Sequence, residues 1–445
     1  MNGRAAHWMD TLRTQLWPLP ALAVALAVLL GTALPALDSN LDGQLPESVS
    51  AVIFSGGPEA ARAVLQAISG SLITVTSLTF SLTVVSLQLA SSQFSPRLLR
   101  TFSADRFVHG TLALFLAAFA FALTVLRSVR EEGSGNSAFV PEISVTVAFA
   151  LAIASVMGLV LFLAHLTREI RVETMMRKVN MEAQETIDRV FPGDRPVQGS
   201  GPLPVRASFP IAATSSGFLT SFDKDALLHA AVESGAVVRL DKEPGSSLVA
   251  GVPFATAWPL EPAGHIGPEG REMLRSAVNA AVATGFERTN VQDVGFGFRQ
   301  LVDVAARALS PGVNDPTTAV HVIGHLSALL CRLADREPGP EQITDDDGRV
   351  RVVLSLPTLS DLLDMAMNQT RHYGAADPVV ANRLLELLHE LACCDRQGRY
   401  RAAILDHLDR MRNAIGAADY SAPERQGLLD KAESQAAAVR TGAEK

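Results

Sequence analysis

Residues 63–96, AVLQAISGSLITVTSLTFSLTVVSLQLASSQFSP, run for 34 positions without a formal charge. A helix of about 20 apolar residues, rising 1.5 Å each, crosses a bilayer core roughly 30 Å thick. This stretch is long enough to cross and to continue beyond. Its hydroxyls are what set it apart, because lipid exposure alone favours Leu, Val and Ile. At about 100° per residue, Thr76, Thr79, Thr83, Ser86 and Gln93 share one stripe, and Thr74, Ser77, Ser81, Gln88 and Ser91 share another, roughly opposite. Small hydroxylated residues let helices approach closely and bond across, at about 0.6 kcal/mol per bond. Two opposed polar stripes predict protein or water on both sides of this helix. The competing explanation is that each Ser or Thr bonds back to a carbonyl of its own helix.

Outward from this stretch, the apolar weight of a 445-residue chain that is 48% hydrophobic concentrates before about residue 167. Residues 17–37, 63–93, 107–126 and 143–167 read as transmembrane spans. A cleaved signal peptide is the rival reading of the first, since a basic start, an apolar run and Gly31-Thr32-Ala33 resemble its three parts. Ser95 and Pro96 suit an N-cap and first-turn proline for a short helix, PRLLRTF. Nine Lys and Arg flank the span ends on the side of the N-terminus, the second loop and residues 168–178, against three on the other side. The positive-inside rule then puts both ends of the chain in the cytoplasm. His109 and His165 lie at the ends of the third and fourth spans, where interfacial placement or a proton relay would suit them. No Asp, Glu, Lys or Arg sits in the middle of any span, so an ion-coupled carboxylate transporter lacks its coupling residue.

The second half of the chain is soluble in character. Residues 168–191 read as an amphipathic extension of the fourth span, 192–204 as a Gly/Pro linker, 205–262 as a small α+β module, 263–415 as a mainly helical cytoplasmic domain and 416–445 as a charged, frayed tail. Short strands are expected around 236–241 and 247–258, on either side of Glu243-Pro244-Gly245, and at 349–355. A net charge of −8 and a pI near 5.7 leave no basic face for nucleic acid. The three cysteines, Cys331, Cys393 and Cys394, have no zinc-type spacing and read as reduced thiols. His321 and His325, spaced i, i+4, lack a third ligand and an accompanying Glu, so no metal site is expected there.

Residues 299–319, RQLVDVAARALSPGVNDPTTA, carry the soluble half's densest pattern. Phe298, Leu301, Val302, Ala305 and Leu309 form a buried helix face, while Arg299, Asp303 and Arg307 recur every fourth residue. Ser310-Pro311-Gly312 ends that helix, and Asp315-Pro316 caps the next. The result is a tight helical hairpin whose polar elbow (Arg299, Gln300, Asp303, Arg307, Ser310, Asn314, Asp315) is a candidate for a small anion or a docking partner. Phosphate loops, nucleophile elbows and paired carboxylates are all missing from the sequence, so neither an enzyme nor a cofactor is expected.

Three stretches, 77–102, 299–319 and QTRHYGAADP at 369–378, make the chain similar to the bacterial predicted membrane proteins grouped as domain of unknown function 2254. The likeness runs from the first span to about residue 395. It implies multi-span inner-membrane proteins with a cytoplasmic domain and supplies no catalytic residues. One departure is Gly295-Phe296-Gly297-Phe298, where a Pro/Ala-containing variant is expected.

The fold class expected is an α-helical membrane protein with about four transmembrane helices and a C-terminal α+β cytoplasmic domain. The leading functional expectation is a homo-oligomeric channel bordered by the second span. Thr76, Thr79, Thr83, Ser86 and Gln93 are its candidate lining, and Phe80 is a constriction if its side faces the axis. The alternative is a non-conducting scaffold or sensor whose cytoplasmic domain binds a protein or small ligand through the elbow.

Overall fold

The computed structural model describes residues 17–41, 53–93, 105–130, 139–169, 171–193, 208–261 and 264–442, without the side chains of 40–41 and 89–93. The expected cap at Ser95-Pro96 with its short helix, and the 192–204 linker apart from its first two residues, lie outside them. The chain divides into two compact units, Met1–Thr174 and Met175–Lys445.

Unit 1 is helical. Four helices follow the four apolar runs: α1 (Pro18–Leu41), α2 (Pro58–Gln93), α3 (Arg106–Leu126) and α4 (Glu142–Glu169). Helix α2 starts five residues before the charge-free stretch, because Pro58 and Glu59 suit a first helical turn: one needs no N–H partner there and the other complements the helix dipole. The core joins Ala61, Leu65, Ile68 and Leu72 of α2 to Ala118, Phe121, Ala122 and Val125 of α3 and Val145 and Ala148 of α4. Helix α3 is the most buried of the four and packs against each of the other three. Asp38 of α1 is buried and caps α4 from outside: its carboxylate accepts from Ser144 N at 3.1 Å, Ser144 Oγ at 2.7 Å and Ile143 N at 3.3 Å. Donors at a helix start need such acceptors where water is scarce.

Unit 2 holds α5 (Val172–Val190), which begins in the last residues of unit 1, and everything after it. The expected continuous extension of the fourth span is broken, since α4 ends at Glu169 and α5 starts at Val172. The reason is the use made of the apolar face of α5. Met175, Met176, Val179, Ala183, Ile187 and Val190 are all buried, and the helix is pinned inside unit 2 by Asp188, which pairs with Arg332 at 2.7 Å and Arg336 at 2.8 Å.

The order continues β1 (Phe209–Ala212), β2 (Gly217–Phe222), α6 (Lys224–Glu233), β3 (Ala236–Leu240), β4 (Ser247–Leu248), β5 (Pro253–Pro259), α7 (Pro268–Ala280) and β6 (Val282–Gly285). Then come α8 (Val294–Ala308), α9 (Pro316–Ala334), β7 (Glu341–Thr344), β8 (Val350–Leu354), α10 (Leu359–Gly374), α11 (Pro378–Cys394), α12 (Arg401–Ala417) and α13 (Ala422–Thr441). One sheet has the order β1-β5-β3-β8-β7 and a second the order β4-β2-β6. Among the described strands only β3 and β8 pair in parallel, with Val238 opposite Val352. The two strand stretches expected on either side of Glu243-Pro244-Gly245 pair antiparallel through β3 and β5, with Leu240 opposite Ala255, while the two-residue β4 between them pairs with β2. Strands from before and after residue 262 also share both sheets, so 205–262 is not a module separate from 263–415. The expected frayed tail is ordered as α13, started by a Ser421/Glu424 capping box and packed on α11 and α12.

Among the described residues five helices, not four, are long and apolar enough to cross a membrane: α1 to α4 and, in unit 2, α9. Helix α9 lies against α8, α10 and α11, with half of its apolar window buried there.

Candidate functional site

The hydroxyl stripes of α2 fall on opposite sides of the helix surface. Thr76, Thr79, Thr83 and Ser86 are buried in unit 1, continuing the face that Leu65 and Leu72 begin. Three of their hydroxyls donate back along the helix: Thr76 to Leu72 O at 2.7 Å, Thr83 to Thr79 O and Ser86 to Leu82 O, both at 2.8 Å. This is the self-bonding expected of Ser and Thr in an apolar helix. Thr79 differs: it is 0% exposed and its Oγ1 has no hydrogen-bond partner among the described residues. Thr74, Ser77, Ser81 and Gln88 lie on the exposed side, beside Ile73, Leu78, Phe80, Val84 and Val85, also exposed. Phe80 is thus exposed while the Thr76–Ser86 stripe is buried. Gln93 closes α2, and its side chain lies outside the described residues.

A second constellation gathers where α3 begins and α4 ends. Asp105 is the N-cap of α3, its carboxylate accepting from Phe107 N at 2.9 Å. The other carboxylate oxygen meets His165 Nε2 at 2.6 Å. His165 and Glu169 stand one turn apart on the end of α4, so their side chains share a face. Ligand atoms of Asp105, His165 and Glu169 all lie within 4.8 Å of one another, and all three residues are half-buried. The Phe107 ring packs on the imidazole, with centroids 4.6 Å apart. A cavity of about 20 Å³ opens here, lined by these three residues with Thr83, Ser86, Leu87, Val108 and Leu166. Sequence reading singled out His165 but missed its partners. The cue lay in the pairing of an N-cap acid with His165 and Glu169 at i, i+4. His109, one turn after Asp105 on α3, is buried.

The elbow of unit 2 is held mainly by its own bonds. Helices α8 and α9 meet there as expected, with Asn314 in a left-handed conformation (φ 49°) and its N–H donating to Ser310 O at 2.9 Å. Ser310 Oγ donates to Arg307 O at 2.7 Å. Asp315 accepts from Thr318 N at 3.0 Å and Thr318 Oγ1 at 2.6 Å, and the Thr318 hydroxyl bond leads the contacts that hold its carboxyl below the usual range. Arg299 reaches Gln369 of α10 at 3.1 Å, so two of the three distinctive sequence stretches meet. Gln300 is buried, Asp303 half-buried and Arg307 exposed. The cysteines are free thiols, and burial, then the neighbouring Cys394, pushes Cys331 well above the ordinary thiol value. That disfavours the reactive thiolate.

The departure at residues 295–298 has a packing cause. A Cβ added at Gly297 would stand 2.5 Å from Ala183 Cβ, so glycine lets α8 lie directly on α5. Another close approach is at Gly245 (φ 90°), where a Cβ would fall 2.1 Å from the Asp293 carboxylate. Asp293 is 3% exposed and bonded to Arg288 Nε at 2.8 Å. Burial drives its carboxyl up, against the opposing pull of Arg288.

The profile of a family described as predicted membrane protein (DUF2254) matches residues 13–390. Uncharacterised proteins of Mycobacterium bovis and of two strains of Mycobacterium tuberculosis are 37% identical over 405 residues, which is 90% of this chain and 76% of theirs. No solved structure matches. With most of its length covered by that profile and several apolar helices to embed, the chain belongs to the DUF2254 family of predicted membrane proteins.

Proposed function

We propose that this chain is a four-span bacterial inner-membrane protein with both termini in the cytoplasm, and that it assembles with copies of itself around a pore bordered by the outer face of α2. The role is non-enzymatic. The observation that supports it is the row Thr74, Ser77, Ser81 and Gln88 on a face that the described residues leave open. An amide or hydroxyl facing hydrocarbon without a partner costs roughly 4–8 kcal/mol on the cyclohexane scale, and Ser and Thr lessen that only by bonding to their own helix. Facing water or a second copy removes the cost. On this reading the lining is the outer stripe, and the inner stripe of Thr76, Thr79, Thr83 and Ser86 packs the bundle. Exposed Phe80 then borders the outer row and is the candidate constriction. Helix α9 stays with the helices of unit 2, its packing partners.

Purified chain in liposomes tests the reading. Ion flux is expected, and Ser81→Leu should reduce it severalfold while Thr79→Val leaves it intact. Absence of flux at every voltage and pH would exclude a pore and leave the scaffold or sensor role.

A further inference from the structure

We propose that Asp105, His165 and Glu169 form a binding site for a divalent transition-metal ion, of the zinc class, at the end of unit 1 where α3 begins and α4 ends. The inference is independent of whether the chain conducts.

Three features argue for it together. The donor set is one imidazole nitrogen and two carboxylates, the nitrogen and oxygen ligands that zinc and its first-row neighbours take. The donors are held by the fold: Asp105 is fixed by its cap to Phe107 N, and His165 and Glu169 are fixed by their spacing on the last turn of α4. There is also room. The cavity of about 20 Å³ exceeds the roughly 10–15 Å³ that one water needs, and all three donors line it.

The ligand atoms now span up to 4.8 Å. Bonds of about 2.0–2.2 Å to a common tetrahedral ion would draw them to about 3.5 Å from each other. His165 Nε2 and Asp105 Oδ2 already stand closer than that, at 2.6 Å, in a hydrogen bond. Metal entry displaces that hydrogen bond: the ring carries its proton on Nδ1 and offers Nε2 to the ion, the two atoms move apart and Glu169 comes in. Thr83 and Ser86 complete the wall from α2. Their hydroxyl protons are spent on helix carbonyls, which leaves oxygen lone pairs as acceptors for a metal-bound water. An ion here would tie α3 to α4 beside α2.

The experiment uses the full chain in detergent, stripped by a chelator and then titrated with zinc chloride by calorimetry. One zinc per chain is expected, weakened about tenfold or more in both His165→Ala and Glu169→Gln, since losing a group even one shell further out costs roughly ten- to a hundredfold. Asp105→Asn keeps a residue able to cap α3 and should weaken binding likewise, with an unchanged size-exclusion profile. X-ray absorption of the zinc-loaded chain should report nitrogen and oxygen neighbours with an imidazole signature. Failure to bind stoichiometrically, binding unchanged in His165→Ala and Glu169→Gln, or sulfur in the zinc shell would each overturn the proposal.

Discussion

Thr79 is the residue at which the polar pattern of α2 costs the most. Its neighbours in the stripe return their hydroxyl bonds to the helix, whereas its own Oγ1 is buried without a partner among the described residues. A buried hydroxyl in that condition costs roughly 1–3 kcal/mol. Thr79→Val keeps the shape and removes the group, so thermal unfolding in detergent should shift upward, corresponding to about 1 kcal/mol; a downward shift would mean that Oγ1 has a partner after all. Asp345 acts in the other direction. Burial raises its carboxyl, but the bond from Arg351 at 2.7 Å and those of Arg349 outweigh it and hold it at about 2. A folded value below the ordinary 3.8 means that this carboxylate contributes stability above that pH and loses it as pH falls toward 2. Acid unfolding should therefore be less steep between about pH 4 and 2 in Asp345→Asn, with the variant less stable than the native chain at neutral pH. Such pairings are invisible in sequence: the acid stretch at 345–347 announces a turn, but not that Arg349 and Arg351 fold back on Asp345.

At the scale of elements, what could be read was local. The four apolar runs, the stop at residues 310–312 and the cap at Asp315-Pro316 carry their signals within a few residues, and α1 to α4, α8 and α9 appear where those signals put them. Strand partnership is not local. Strand β8 pairs with β3 across more than a hundred residues, and β4 takes β2 instead of its neighbour β3, since which edges meet depends on helices packed between them. The break between α4 and α5 was hidden for a similar reason: the periodicity of 168–191 reports a helix with an apolar face, but not that the face belongs to another unit. Gly297 connects these levels. Gly297→Ala would drive a methyl into Ala183, and such overpacking costs about 1–3 kcal/mol. Urea unfolding followed by the fluorescence of buried Trp258 should show that loss. The paired change Ala183→Gly with Gly297→Ala should restore part of it, and no restoration would place the contact elsewhere.

For the molecule as a whole, the candidate sites divide between what sequence could and could not assign. Periodicity placed two polar stripes on α2 and could not say which was interior; that depends on α3 packing against the face led by Leu65 and Leu72. Likewise, composition identified His165 but not the Asp105 and Glu169 beside it, because the three converge only when the start of one helix lies against the end of another. The account's central claim is that the exposed row of α2 meets a second copy of the chain. Cysteine cross-linking in native membranes tests it most directly, with Cys331, Cys393 and Cys394 replaced by serine and single cysteines placed at Ser77 or Ser81. Both should give covalent dimers on oxidation, while cysteine at exposed Val156 of α4 should not. Monomer alone from Ser77→Cys and Ser81→Cys, under conditions that cross-link a position elsewhere in the membrane unit, would contradict the account.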